Sequence, residues 1–158
     1  MNADRILAAF AEQEIDCLLI GGMNFLLRHQ PVLTFDVDFW VKDEPSNLIK
    51  VNSALRELQA EWGATEAAWA PVPRDWKWLQ NQEVFCLTTA YGAVDVFLRV
   101  QGLEDYAACR ERSSLLQTQA GTPYRSLSDA DMLACQLALA QEDRRLDRVA
   151  YLRKLLGT

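Results

Sequence analysis

The chain has 158 residues, half of them hydrophobic and 24% charged, enough for one domain with its own core, and this balance excludes a disordered or low-complexity protein. Its net charge of -6 argues against broad, salt-dependent gripping of nucleic acid, which requires clustered Lys and Arg. The four scattered cysteines, with no C-x-x-C pair and one histidine beside them, give no zinc set, so Cys17, Cys86, Cys109 and Cys135 read as reduced core residues of a cytoplasmic protein.

Residues 2–14 carry Ile6, Leu7 and Phe10 at helical spacing, continued by Ile15, behind Asn2 as N-cap; this start reads as an amphipathic helix and not as a signal peptide. Residues 17–20 are a short apolar run suited to a buried strand, broken by Gly21-Gly22 and followed by an apolar helix over 23–29. Pro31 ends that helix, and a second strand over 33–41 contains Asp36 and Asp38. Pro45-Ser46 opens an amphipathic helix reaching residue 61 through Leu48, Val51, Leu55 and Leu58. Residues 62–81, with Trp62, Trp69, Trp76 and Trp78, lose the period and read as an ordered excursion whose tryptophans cover the core edge.

Strands over 84–89 and 93–100 form a hairpin around Tyr91-Gly92. A short helix over 104–112, a hairpin turning at Gly121-Thr122-Pro123, a helix started by Ser128-Asp129 and a last helix over 142–156 complete the chain. In that last helix Leu146, Val149, Leu152 and Leu155 are expected to face inward. The expected fold is one α+β domain, a mixed sheet flanked by helices with a helical C-terminal part over 101–158. No apolar run is long enough to span a membrane.

The chemistry is concentrated in Thr34-Phe35-Asp36-Val37-Asp38-Phe39. Side chains at i and i+2 of a strand share a face, so Asp36 and Asp38 point the same way, roughly 6–7 Å apart along the chain. Two carboxylates inside an apolar strand are unfavourable without a compensating cation. Asp95, between Val94 and Val96, repeats the situation in a second strand. If the two strands pair, three carboxylates converge as a hard-cation site suited to Mg²⁺ or Mn²⁺. Gly21-Gly22, between a strand and a helix, lets the backbone approach a ligand closely and offers free N–H groups to an anion. Taken alone, Asp36 and Asp38 are equally the solvated face of an edge strand, and the glycine pair is an ordinary turn; the combination points to a metal site.

These residues resemble the DNA polymerase β-type nucleotidyltransferase superfamily. Within it the chain is most similar to small bacterial nucleotidyltransferase-like proteins that include abortive-infection and toxin–antitoxin members. The resemblance spans nearly the whole chain, with its motifs in the first hundred residues. It implies the nucleotidyltransferase fold and transfer of a nucleoside monophosphate from a nucleoside triphosphate to an acceptor hydroxyl. Asp36, Asp38 and Asp95 would then be the metal ligands and catalytic residues, with Asp95 also a base. Gly21 and Gly22 would cradle phosphates and Asn24 would add a side-chain contact.

Two departures stand out. Many members have Ser where this chain has Gly22, and related small members carry a Lys in the C-terminal helix near the place of Cys135-Gln136. Arg28, Lys42, Arg74 and Lys77 are the candidate replacements, Arg28 and Lys42 being assigned to the nucleotide site; Arg28 also reads as an ordinary helix-end residue. The basic stretch Arg144, Arg145, Arg148, Arg153 and Lys154 reads as a solvated helix face paired with Glu142, Asp143 and Asp147. The implied acceptors are RNA such as a tRNA end, a protein, or a small hydroxyl compound. A partner protein or a homodimer is compatible with the pattern. The alternative is a non-catalytic nucleotide- or partner-binding module of the same fold.

Overall fold

The computed structural model describes all residues from Met1 to Thr158. Helix α1 (Ala3–Glu12) begins where Asn2 accepts a hydrogen bond from the Arg5 amide at 3.1 Å, and it leads into β1 (Cys17–Ile20). Helix α2 (Gly21–Arg28) follows with no intervening loop. Strand β2 (Asp36–Val41) is shorter than the 33–41 run suggests, because residues 33–35 find no partner strand. Helix α3 (Pro45–Glu57) starts on proline, whose missing N–H is no loss in a first turn.

The tryptophan-rich excursion is ordered as two short strands, β3 (Glu61–Trp62) and β4 (Ala70–Pro71), and two 3-10 turns. Asn52 of α3 clamps this segment, donating to the carbonyls of Pro73 and Arg74 and accepting from Trp78 Nε1 at 2.8 Å. Strands β5 (Val84–Thr89) and β6 (Gly92–Phe97) form the expected hairpin. The chain ends with α4 (Tyr106–Arg112), the hairpin β7 (Ser114–Gln117) and β8 (Pro123–Ser126), α5 (Asp129–Ala138) and α6 (Leu146–Leu156). Ser128 caps α5, accepting from the Asp131 amide. No helix is long and apolar enough to cross a membrane.

All eight strands join one mixed sheet in the order β4-β3-β5-β6-β2-β1-β8-β7, with β2–β6 and β1–β8 parallel and the other pairs antiparallel. One face carries Val37, Phe39, Val94 and Val96, buried against α1 and α3 through Ile6, Phe10, Val51 and Leu55. Phe10 stacks on Phe39 with ring centroids 3.9 Å apart. On the opposite face Leu18 and Ile20 of β1 are covered by Phe25 of α2, Met132 of α5 and Leu152 of α6. That second cover stops at β1 and β2, leaving the outer face of β5 and β6 with exposed or half-buried side chains.

Two sequence expectations fail here for reasons of period. Leu146 and Leu155 are exposed, because α6 starts only at Leu146 and buries a narrow stripe, Val149 and Leu152. Cys86 is exposed as well: β5 alternates, Phe85 and Leu87 point into the core, and Cys86 between them points out.

Candidate active site

The parallel register of β2 and β6 sets Asp38 directly beside Asp95, with Asp36 one pleat along beside Ala93. Asp36, Asp38 and Asp95 therefore emerge on one face of neighbouring strands, and a carboxylate oxygen from each lies within 4.8 Å of the others. Asp38 sits deepest. Its Oδ1 is buried with no hydrogen-bond partner. Burial, then the charges of Asp36 and Asp95, push its carboxyl up to about 8. Asp95 is pushed up to about 6, first by burial and then by Asp36. A cluster in which one carboxylate is orphaned and two resist ionisation is a cluster lacking positive charge. Oxygen-only donors at this spacing fit a hard divalent cation.

The glycine pair is built into the same corner. Gly21 follows β1 directly with φ +68, a left-handed conformation that glycine adopts without strain, and a Cβ added there would meet Asp38 Oδ2 at 2.1 Å. The Asp38 carboxylate thus rests against bare backbone. Gly21→Ala is expected to lower stability by about 2 kcal/mol or more, read as a drop in the urea midpoint. Gly121→Ala supplies the control, since Gly121 also has positive φ (+86) but nothing lies within 4 Å of its missing Cβ; an equal drop for both would mean that contact with Asp38 adds nothing.

At Gly22 the space that a serine side chain would occupy is taken from elsewhere. A Cβ there would lie 2.9 Å from Thr34 Oγ1 and 3.1 Å from Arg148 Nη2. Arg148, on α6, reaches back across the site, donating to the Leu33 carbonyl at 3.5 Å and lying 5.9 Å from the Phe25 ring centroid. Its pKa is lowered, chiefly by burial, against the opposing attraction of Asp147, Asp38 and Asp36. So a guanidinium and the first turn of α2 converge beside the carboxylates, next to Thr34 Oγ1, which donates to the Asp36 carbonyl at 3.3 Å, an arrangement able to receive a polyphosphate.

The other residues assigned to the nucleotide site are committed elsewhere. Asn24 is fully buried, donating to the Leu127 carbonyl and to Met132 Sδ and accepting from Ser126 Oγ at 2.7 Å, and it ties α2 to β8 and α5. Because α2 begins at Gly21 itself, position 24 falls on its inward side. Arg28 is held by Asp129 at 2.8 Å and by Ser126 Oγ at 3.0 Å. Lys42 follows β2 at the end away from Asp36, pairs with Glu44 at 3.1 Å and lines a separate cavity of ≈ 630 Å³. Arg74 and Lys77 belong to the excursion packed on α3, on the far face of the sheet.

The basic C-terminal stretch is solvated as expected at Arg145, Arg153 and Lys154, but it forms no ion pair with Glu142, Asp143 or Asp147, and two of its residues turn inward. Arg144 donates to the carbonyls of Leu137 and Leu139, and Arg148 turns into the site. Sequence reasoning missed Arg148 and Thr34. The available signals were a half-buried phase for position 148, between Val149 and the exposed stretch, and a hydroxyl two residues before Asp36.

No family model and no curated protein matches the sequence. Solved structures do match along nearly its whole length. The antibiotic-resistance factor ANT(2'')-Ia is 15% identical, with 98% of this chain and 82% of that one covered and a TM-score of 0.61. The lincosamide antibiotic adenylyltransferase LnuA, solved with lincomycin bound, is 14% identical over 95% of this chain and 93% of its own, with a TM-score of 0.62. A Thermotoga maritima protein provisionally named a nucleotidyltransferase is 16% identical, with 98% and 90% covered and a TM-score of 0.58. The fold is accordingly the nucleotidyltransferase fold, α+β with a mixed sheet.

Proposed function

We propose that this protein transfers a nucleoside monophosphate from a nucleoside triphosphate to the hydroxyl of a small molecule, using Mg²⁺ or Mn²⁺ held by Asp36, Asp38 and Asp95. The observation that carries this reading is the convergence of three strand carboxylates, one with an orphaned buried oxygen, on a glycine turn whose backbone touches them. Structural likeness to ANT(2'')-Ia, also solved with adenylyl-2''-tobramycin, and to LnuA supports it and points to an antibiotic-sized acceptor.

In this reading the amides of the first turn of α2, Thr34 Oγ1 and Arg148 receive the triphosphate. The divalent cation, when bound, supplies positive charge to the phosphate oxygens and to the attacking oxygen. The acceptor oxygen bonds to the α-phosphorus while the α–β bridging P–O bond breaks, and pyrophosphate leaves with the electron pair. Asp95, the less buried of the two shifted carboxyls, takes the hydroxyl proton on a carboxylate oxygen. Asp38, wedged between Gly21 and Asp95, fixes the geometry.

The non-catalytic alternative drew its support from Gly22 and from the absent lysine. Thr34 Oγ1 and Arg148 Nη2 lie 2.9 and 3.1 Å from where a Cβ at Gly22 would be, so a cation is available beside the glycine turn, and this supports the catalytic reading. Calorimetry with each of the four ribonucleoside triphosphates, with and without Mg²⁺, tests the proposal on the wild type and on Asp36→Ala/Asp38→Ala. Metal-dependent binding that the double variant loses is the expected result. Binding indifferent to both metal and mutation would refute it.

A further inference from the structure

A cavity of ≈ 1130 Å³ runs from Gly21, Asp38 and Arg148 along the open side of β2 and β6 to Asp43, Glu83 and Glu104. Residues 38 to 43 cover about 16 Å at the rise of an extended strand. Its upper end is the triphosphate corner. Its middle is lined by Trp40 and Phe97 from the sheet, by Tyr106 and by Met132 and Leu139 from α5 and the residue after it.

Much of the hydrogen-bonding capacity of that middle stretch is already used, with Gln101 Oε1 and Gln136 Nε2 left over. Trp40 Nε1 donates to the Leu98 carbonyl, Tyr106 Oη to Asp16 Oδ1 at 2.7 Å, and Gln101 Nε2 to the Ala138 carbonyl, while Gln136 Oε1 accepts from the Arg145 amide. A ligand bearing hydroxyls along its length would leave most of them unpartnered there, a loss an apolar body does not suffer. The far end is the reverse: three carboxylates against one guanidinium, Arg99, which stands 3.6 Å from Glu83 with both side chains over two-thirds exposed (77% and 67%). Asp43 and Glu104 take part in no ion pair, so the mouth is net negative.

We propose that the lower part of this cavity is the acceptor site, and that it takes an elongated apolar alcohol with a cationic amine at the end away from its reacting hydroxyl. The hydroxyl then lies by Asp95 and Asp38, the apolar body on Trp40 and Phe97, and the amine between Asp43 and Glu104. The assignment of an acceptor rests on the nucleotidyl transfer proposed above, but the binding it requires is measurable without nucleotide.

The test is calorimetry of the full chain with matched probes: ω-aminodecanol, decanediol, ω-hydroxydecanoate and the trimer of β-1,4-linked glucosamine, a cationic polyol. Without nucleotide, aminodecanol is expected to bind about tenfold tighter than the other three. Asp43→Asn/Glu104→Gln, two exposed substitutions, is expected to erase that preference while leaving decanediol and Mg²⁺–ATP binding unchanged. Equal binding of decanediol and aminodecanol, or tighter binding of the glucosamine trimer, would overturn the proposal. A double variant that weakens ATP binding would overturn it too, by placing nucleotide in the lower cavity. Failure of ATP to bind at all, with the probe preference intact, would count against the transferase reading alone.

Discussion

Asp38→Asn is expected to give a protein that melts higher than the wild type and loses nearly all transfer. The carboxyl of Asp38 is pushed up to about 8 by burial and by Asp36 and Asp95, whereas an unfolded chain holds an aspartate near 3.9. The folded state therefore binds this proton more tightly than the unfolded state. Stability from that difference is complete below about pH 4, falls as pH rises, and is gone once pH passes about 8. Between those limits the metal-free wild type is expected to lose on the order of 2–4 kcal/mol. Asparagine has the same shape and cannot ionise, so it removes this slope and leaves only the smaller one from Asp95, which ends near pH 6. At pH 8 the variant should melt roughly 5–10 °C above the wild type.

Mg²⁺ should reverse the order, raising the melting point of the wild type and not of the variant, since only the ionised carboxylate draws in the cation. Transfer should fall by about 10³-fold or more, as expected when a ligand of the reacting phosphate's cation is removed. Parallel melting curves for the two proteins from pH 5 to 9 would mean that Asp38 ionises freely, and the cation site would lose its physical basis.

Much of the carboxylate corner was legible because it rests on short-range rules. A D-x-D in an apolar strand places two carboxylates on one face by the period of two, and the glycine pair after β1 announces a close backbone approach. That Asp95 lands beside Asp38 depends on a parallel pairing across fifty-odd residues, which no local pattern encodes; the oddity of a carboxylate between two valines was the only hint. Asn24, which the resemblance sets beside the phosphates, lies on the buried side of α2, where its amide is taken up by Leu127, Met132 and Ser126, partners a hundred residues away that no local pattern announces. Helix α6 was harder still. Five basic residues among acidic ones read as a surface, and which of them turns inward follows from how α6 packs on α5 and α2, a tertiary fact. Position 148 lies beside the buried Val149 and one turn before Leu152, so it borders the buried stripe, while Arg153 lies outside it.

Arg148→Ala is the substitution that tests this placement. A guanidinium donating to phosphate oxygens contributes about 1.5–3 kcal/mol, so Mg²⁺–ATP affinity is expected to fall roughly tenfold to a hundredfold. Adenosine, which lacks the phosphates, should bind both proteins alike. Arg148→Lys should recover only part of that affinity, because an ammonium keeps the charge but not the planar fork. The fold should tolerate either change. Burial already lowers the Arg148 pKa, so its charged head is poorly solvated in the free protein, and truncation to alanine removes chiefly the packing of the aliphatic stem. Arg153→Ala removes the same charge from an exposed position of the same helix. If that variant weakens ATP as much as Arg148→Ala does, the attraction comes from the net field of α6 and not from a direct hydrogen bond, and the triphosphate corner would have to be rebuilt around Thr34 and the first turn of α2 alone.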